Sequence, residues 1–138
     1  MSFDSLGLPV ALSRSVADAG YTQATAVQSA AIPPALQGAD LRVSAATGSG
    51  KTAAFVLPAL NRVLAARGDA SKRRDKGMVH GPRVLVLAPT RELAMQVANA
   101  TLSYGRHIPG LRVATVVGGV PYGAQLKALR GPLDVLIA

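Results

Sequence analysis

The run Ala45-Ala46-Thr47-Gly48-Ser49-Gly50-Lys51-Thr52 holds the residue types that a polyphosphate needs, in the order in which it needs them. Glycines without a Cβ let backbone N–H groups close around phosphate oxygens, a lysine amine neutralises the β- and γ-charges, and the following threonine hydroxyl can ligate Mg²⁺. Ala45 stands where the general pattern has glycine. The competing reading is a flexible turn before a helix, and the flanking sequence separates the two. Leu41-Arg42-Val43-Ser44-Ala45 reads as a short strand and Thr52-Ala53-Ala54-Phe55-Val56-Leu57 opens an apolar helix, so the loop lies where a helix N-terminus is aimed at an anion.

Other chemistry is sparse. There is no cysteine, hence no disulfide framework and no Cys-containing zinc site. His80 and His107 lack metal-ligand spacing and fall in segments read as loops. Of the 7 acidic residues no two are adjacent, and Glu92 is the only glutamate. Hydrolysis of a nucleoside triphosphate needs a carboxylate on the metal shell and a group that places the attacking water. No acidic pair at the end of an apolar strand supplies both.

The elements that must hold the loop follow from the apolar pattern. Arg83-Val84-Leu85-Val86-Leu87-Ala88 is a continuous apolar run closed by Pro89, and Thr90 is placed to cap a helix that runs to about Tyr104. Arg112-Val113-Ala114-Thr115-Val116-Val117 is β-branched and stops at Gly118-Gly119; a helix around Tyr122 to Arg130 and a third apolar run, Asp134-Val135-Leu136-Ile137-Ala138, come after it. Read as strands buried on both faces with helices between them, these segments predict an α/β fold with a parallel sheet flanked by helices. No repeat, linker or second domain is evident.

At 138 residues and 49% hydrophobic content the chain can fill a core. No apolar stretch approaches the length of a membrane span, and Met1-Ser2-Phe3-Asp4 lacks the charged start of a signal peptide. A cytoplasmic protein with no membrane partner is therefore expected. Half of the net charge of +8 lies between Arg67 and Arg83, where Arg67, Lys72, Arg73, Arg74, Lys76 and Arg83 outnumber Asp69 and Asp75. This stretch reads as an exposed loop that either tracks a nucleic-acid backbone by replacing counterions or only aids solubility. Aromatic residues are too few there for base stacking.

Four segments carry a resemblance. Gly20-Tyr21-Thr22-Gln23-Ala24-Thr25-Ala26-Val27-Gln28 resembles the Q motif of DEAD-box ATP-dependent RNA helicases, with Phe3 upstream of it as in that family. Ala45 to Thr52 resembles motif I, Pro89-Thr90-Arg91-Glu92-Leu93-Ala94-Met95-Gln96 resembles motif Ia, and Gly118-Gly119 resembles the GG motif. They stand in family order over essentially the whole chain, in wording similar to the bacterial RhlE-like subgroup. The resemblance implies a P-loop RecA-like fold, ATP and Mg²⁺ as cofactors, RNA as partner, and a parent enzyme that couples ATP binding and hydrolysis to RNA duplex unwinding. Ala24 departs from the proline usual in the Q motif, which loosens that loop.

The resemblance also implies roles. Lys51 and Thr52 would serve catalysis, with Thr52 reaching Mg²⁺ through the nucleotide, and Ala46, Thr47, Gly48, Ser49 and Gly50 would cradle the phosphates. Gln28 would read the adenine edge, Phe3 would pack against the base, Tyr21 would support the pocket, and Thr25 would tie the Q-motif loop to the phosphate loop. Pro89, Thr90, Arg91, Gly118 and Gly119 would hold the RNA sugar-phosphate backbone without reading sequence. The plainer alternatives are a polar helix face for Gln28, a core position for Phe3 and an internal pair with Glu92 for Arg91.

The family pattern continues with Asp-Glu-Ala-Asp, Ser-Ala-Thr and a second RecA-like domain, none of which occurs in this sequence. Residues 1–138 are thus expected to be the N-terminal portion of the first RecA-like domain, incomplete at its C-terminus and inactive alone. In the implied strand order, two absent strands fall between the phosphate-loop strand and the strand ending at Pro89. Open strand edges then predict self-association or marginal stability. Another P-loop NTPase and a non-catalytic nucleotide- or RNA-binding module are the alternative functions.

Overall fold

The computed structural model describes residues 2–67, 82–119, 121–130 and 133–138. A 3-10 turn at Phe3–Ser5 precedes helices α1 (Val10–Asp18), α2 (Ala26–Leu36) and α3 (Lys51–Arg67). Strand β1 (Val84–Val86), helix α4 (Arg91–Tyr104), strand β2 (Val113–Thr115), helix α5 (Tyr122–Ala128) and strand β3 (Val135–Ile137) follow. The strands form a parallel sheet in the order β1-β3-β2, with Val135 opposite Val84 on one side and Val113 on the other. Backbone bonds extend the ladder beyond the strand cores, from Val84 N to Asp134 O (3.0 Å) at one edge to Ala88 N to Ala138 O (2.8 Å) at the other.

One face of this sheet builds the core. Val135 and Ile137 of β3 are sealed from solvent together with Val56, Leu57, Leu60 and Val63 of α3 and Ala94, Val97 and Ala98 of α4. The α3 residues recur at three- and four-residue spacing, which sets them on one side of the helix. Phe3, Leu6, Leu12 and Val16 continue the same cluster beneath α1.

The structure corrects three expectations. Leu41–Ala45 is not a strand. Among the described residues no strand lies beside it to pair its N–H and C=O groups, and extended backbone without a ladder has no advantage over solvated coil. Leu41 and Val43 are 45% and 46% exposed and, with Phe55, line an open apolar groove of about 500 Å³ along α2 and α3. Secondly, the strands are not all buried on both faces, for Leu85 is 58% and Leu87 76% exposed. Helices α3 and α4 cover one face, whereas α5 reaches only β2 on the other.

The third correction concerns charge. Arg67 and Arg83 do not belong to an exposed basic loop; both are drawn to Asp134, which is 5% exposed. Arg67 Nη2 lies 2.6 Å from Asp134 Oδ2, Arg83 Nη1 lies 3.4 Å from Oδ1, and the Arg112 backbone N–H donates to Oδ2 at 3.0 Å. Arg67 also donates to the carbonyls of Pro109 and Gly110. A single carboxylate therefore fastens the end of α3 and the entries to β1 and β2 to the entry of its own strand. Lys72, Arg73, Arg74 and Lys76 lie outside the described residues, as does His80.

A second polar contact joins α1 to the connection after α4, where His107 Nε2 lies 2.6 Å from Asp18 Oδ2. Asp18 ends α1, a place where the helix dipole disfavours negative charge. The hydrogen bond with His107, assisted by the charges of His107, Arg106 and Arg14, nevertheless holds its carboxyl below the ordinary value of 3.8.

Asp134→Ala strands two mostly buried guanidinium groups and should cost about 3–5 kcal/mol of stability, read by urea denaturation; replacing Arg67, Arg83 and Asp134 together with apolar residues should recover much of it. Asp18 gives a pH-dependent test. Because its folded pKa is the depressed one, its contribution is complete above pH 3.8 and is lost as pH falls through the folded value. Asp18→Asn should be less stable than wild type at neutral pH, and the gap should close in acid.

Candidate nucleotide and nucleic-acid site

Three segments meet at the start of α3. Thr25 caps α2 reciprocally with Gln28: the threonine Oγ1 accepts from Gln28 N at 3.3 Å and Gln28 Oε1 accepts from Thr25 N at 2.9 Å. This capping box fixes the glutamine side chain. Its remaining end crosses to the phosphate-type loop, where Gln28 Nε2 donates to the Gly50 carbonyl at 3.2 Å. The tie between the two loops is thus a Gln28 hydrogen bond, supported by the Thr25 cap. Gln28 is 7% exposed and keeps one N–H free of these bonds.

Gly48 and Gly50 have φ of 84° and 88°, the left-handed region that only glycine enters without strain. Gly50 is fixed a second time by packing, since a Cβ there would lie 2.3 Å from Gln28 Nε2 and 3.1 Å from Thr25 Oγ1. Helix α3 begins at Lys51, so N–H groups of its first turn have no partner within the helix. Lys51 Nζ donates to the Ala45 carbonyl across the loop. Ser49 Oγ is buried without a hydrogen-bond partner.

Left-handed glycines, a helix start, a lysine amine and an orphaned hydroxyl together fit phosphate groups. For Mg²⁺ the loop offers the Thr52 hydroxyl, and no group of three or more His, Asp or Glu side chains gathers among the described residues. The metal would therefore be held mainly through the nucleotide.

A cavity of about 620 Å³ adjoins the loop. Tyr21, Gln23, Thr25 and Gln28 form one wall, Thr47, Gly48, Gly50, Lys51 and Thr52 the floor, and Leu93, Gln96 and Tyr104 of α4 also line it. Burial, and secondarily the nearby Tyr21, raises the Tyr104 pKa above its usual value. Phe3 stands apart: it is 5% exposed in the hydrophobic core and does not line the cavity. Ala46 accepts from Ser49 N at 3.2 Å in the loop turn and also does not line it. The sequence reading missed the α4 residues; the signal available was the three-residue spacing of Leu93 and Gln96 within one motif.

The residues expected to meet RNA collect at the C-terminal edge of the sheet. β1 delivers Pro89 and Thr90, and the Thr90 Oγ1 caps α4 by accepting from Leu93 N at 3.1 Å. β2 delivers Gly118 and Gly119, the latter with φ of 81°. A Cβ on Gly119 would lie 2.7 Å from Arg91 Nη1, so the guanidinium rests on the glycine turn. Among the described residues Arg91 makes no ion pair, with Glu92 or otherwise, and its side chain is exposed. From Arg91 a groove of about 470 Å³ runs along α4 past Glu92, Met95, Gln96 and Asn99. Neither Glu92 nor Asp134 serves the phosphate loop: Glu92 faces this groove, and Asp134 is held at the opposite edge.

Comparison with known proteins identifies the family. The family model described as DEAD/DEAH box helicase matches residues 25–138. The ATP-dependent RNA helicase SrmB of Escherichia coli is 42% identical over 137 residues, covering 99% of this chain and 29% of that protein. The ATP-dependent RNA helicase RhlB of Xanthomonas campestris is 40% identical over 138 residues, 23% of its length. The crystal structure of the RNA helicase Prp28 from Chaetomium thermophilum bound to ADP superposes with a TM-score of 0.83 at 39% identity, covering 99% of this chain and 31% of that one. The chain spans less than a third of each of these relatives. Matched by the family model over most of its length and by these relatives over nearly all of it, the chain belongs to the DEAD/DEAH box helicase family.

Proposed function

We propose that this chain is the ATP-binding portion of an ATP-dependent RNA helicase, that residues 1–138 are the N-terminal part of its first RecA-like domain, and that the parent belongs to the RhlE-like bacterial subgroup. The observation that carries the reading is convergence: the Tyr21 to Gln28 loop and the Thr47 to Thr52 loop share one cavity, and α4 runs from its lining to the Arg91–Gly119 contact. In this reading Lys51 and the loop N–H groups take the β- and γ-phosphates, Ser49 gains its missing partner there, and Thr52 faces Mg²⁺. Gln28 offers adenine its free N–H, and Tyr21 flanks the base. Phe3 acts through packing of the Q-motif approach, since Phe3 N donates to Thr22 O at 3.3 Å.

Pro89, Thr90, Arg91, Gly118 and Gly119 hold the backbone of RNA, as single strand or duplex, without sequence preference. The parent couples ATP binding and hydrolysis to unwinding in the cytoplasm. No described helix is long and apolar enough to cross a membrane. The exposed Leu85 of β1, an edge strand among the described residues, and Leu87 just after it favour self-association of this polypeptide through strand pairing.

Lys51→Ala should weaken ATP binding by about 1.5–3 kcal/mol and AMP binding much less, as measured by calorimetry; equal weakening of both would overturn the phosphate assignment. ATP should also bind better than GTP. The 138-residue chain should show no ATPase above background with or without RNA, because no acidic pair is present; turnover abolished by Lys51→Ala would refute this. Light scattering should show concentration-dependent oligomers, and a strictly monomeric chain would remove the strand-pairing proposal.

A further inference from the structure

Tyr21 and Tyr104 line one cavity from two different elements, and each is tied to the end of its own helix. Helix α1 closes with Gly20 at φ 86°, the Gly20 N–H donating to the Ala17 carbonyl at 2.9 Å and the Tyr21 N–H to the Val16 carbonyl at 3.1 Å. This is the Schellman pattern of bonds, so Tyr21 moves with α1. Tyr104 is the last residue of α4, and the turn after it is closed by Gly105 N to Thr101 O and Ile108 N to Gly105 O, both 2.9 Å. Asp18 stands three residues before Tyr21, and His107 three residues after Tyr104. The 2.6 Å contact between Asp18 Oδ2 and His107 Nε2 therefore joins the two turns that carry the tyrosines. Among the described residues it is the one polar side-chain contact between α1 and the connection from α4 to β2.

We infer that the Asp18–His107 pair positions the nucleoside end of the cavity by holding Tyr21 at a set separation from Tyr104, and that it makes nucleotide affinity fall as pH rises through the neutral range. The inference rests on the function proposed above for this cavity. Ala24 gives the loop after Tyr21 no proline restraint of its own, so the end of α1 is what fixes the tyrosine. An imidazole changes charge between about pH 5 and 8. The Asp18 carboxyl, kept below its ordinary value chiefly by the bond with His107, stays ionised across that window. On the acid side the pair joins two charges, and on the alkaline side a neutral N–H meets a carboxylate, which is the weaker bond. The neighbouring charges are guanidinium groups, which do not titrate: Arg14 on α1, Arg106 beside His107, and Arg67 of α3, which meets the same connection at Pro109 and Gly110 but is engaged by Asp134. Tyr104, with its pKa raised, titrates outside the window.

The test is calorimetric titration of Mg·ATP and of inorganic tripolyphosphate with Mg²⁺ into wild type, His107→Ala and His107→Gln, at about pH 6 and about pH 8. Protonation of the ligand is common to the three chains and cancels in the ratio of their Kd values. Both side chains of the pair are partly exposed, so at the lower pH His107→Ala should bind ATP about threefold more weakly than wild type, and at the higher pH the gap should narrow. A glutamine amide offers a donor that does not titrate. His107→Gln should therefore match wild type at the higher pH and fall behind it at the lower. Tripolyphosphate has no nucleoside and should bind all three chains alike at both pH values. A wild-type to His107→Ala ratio that does not change with pH, or tripolyphosphate weakened in step with ATP, would overturn the inference. Wild type that binds neither ligand would overturn the proposed function itself and the inference with it.

Discussion

Strands β1 and β2 do not pair with each other; every ladder bond in the described sheet passes through β3. This constraint organises the remainder of the molecule. With β3 between them, the C-terminal ends of β1 and β2 stand two strand spacings apart, roughly 9–10 Å. That interval is within the reach of an arginine side chain, and Arg91, launched just after β1, crosses to the Gly119 turn that follows β2. A strand order that placed β1 beside β2 would crowd the guanidinium. The same arrangement collects Pro89, Thr90, Gly118 and Gly119 at one edge and assigns the opposite edge to Asp134 and its arginines.

At the other site, geometry is transmitted by hydrogen bonds as well as by packing. The Gln28 amide serves two structures at once, closing the cap of α2 and holding the Gly50 carbonyl. A displacement of the Tyr21 to Thr25 loop therefore reaches the phosphate-type loop through the Gln28–Gly50 bond. The left-handed φ of Gly50 and the absence of its Cβ are both conditions of that bond. Lys51 reaches back to the Ala45 carbonyl, so that residues on either side of the turn are linked by the amine that a phosphate would engage.

What was legible in the sequence was local. The Gly-Ser-Gly-Lys-Thr run marks the start of α3, Thr90 the start of α4 and Gly118-Gly119 the end of β2's extension, because caps and glycine turns are written in a few adjacent residues. The apolar runs ending at Ala88, Val117 and Ala138 gave three parallel strands. Failures arose where the outcome depends on distant partners. Leu41–Ala45 has the composition of a strand but no ladder to join, and Leu85 and Leu87 have a buried strand's residues without a covering helix. Arg67 and Arg83 looked like ends of a solvated basic run, and only the fold brings Asp134 to them. Phe3 belongs to the core because α1 folds over it, and Gln96 meets the cavity because α4 packs beside α3.

The Asp134 carboxylate grips residue 67 with one oxygen and residue 83 with the other, so the end of α3 and the entry to β1 are held at a common point. Chain closure between fixed ends grows costlier only with the logarithm of length, by about 0.6 kcal/mol for each doubling. With both ends pinned to Asp134, a change in chain length between residues 67 and 83 should leave α3 and β1 in their places. Both anchors lie at the sheet edge away from the Arg91–Gly119 contact, so such a change would act at a distance from that surface.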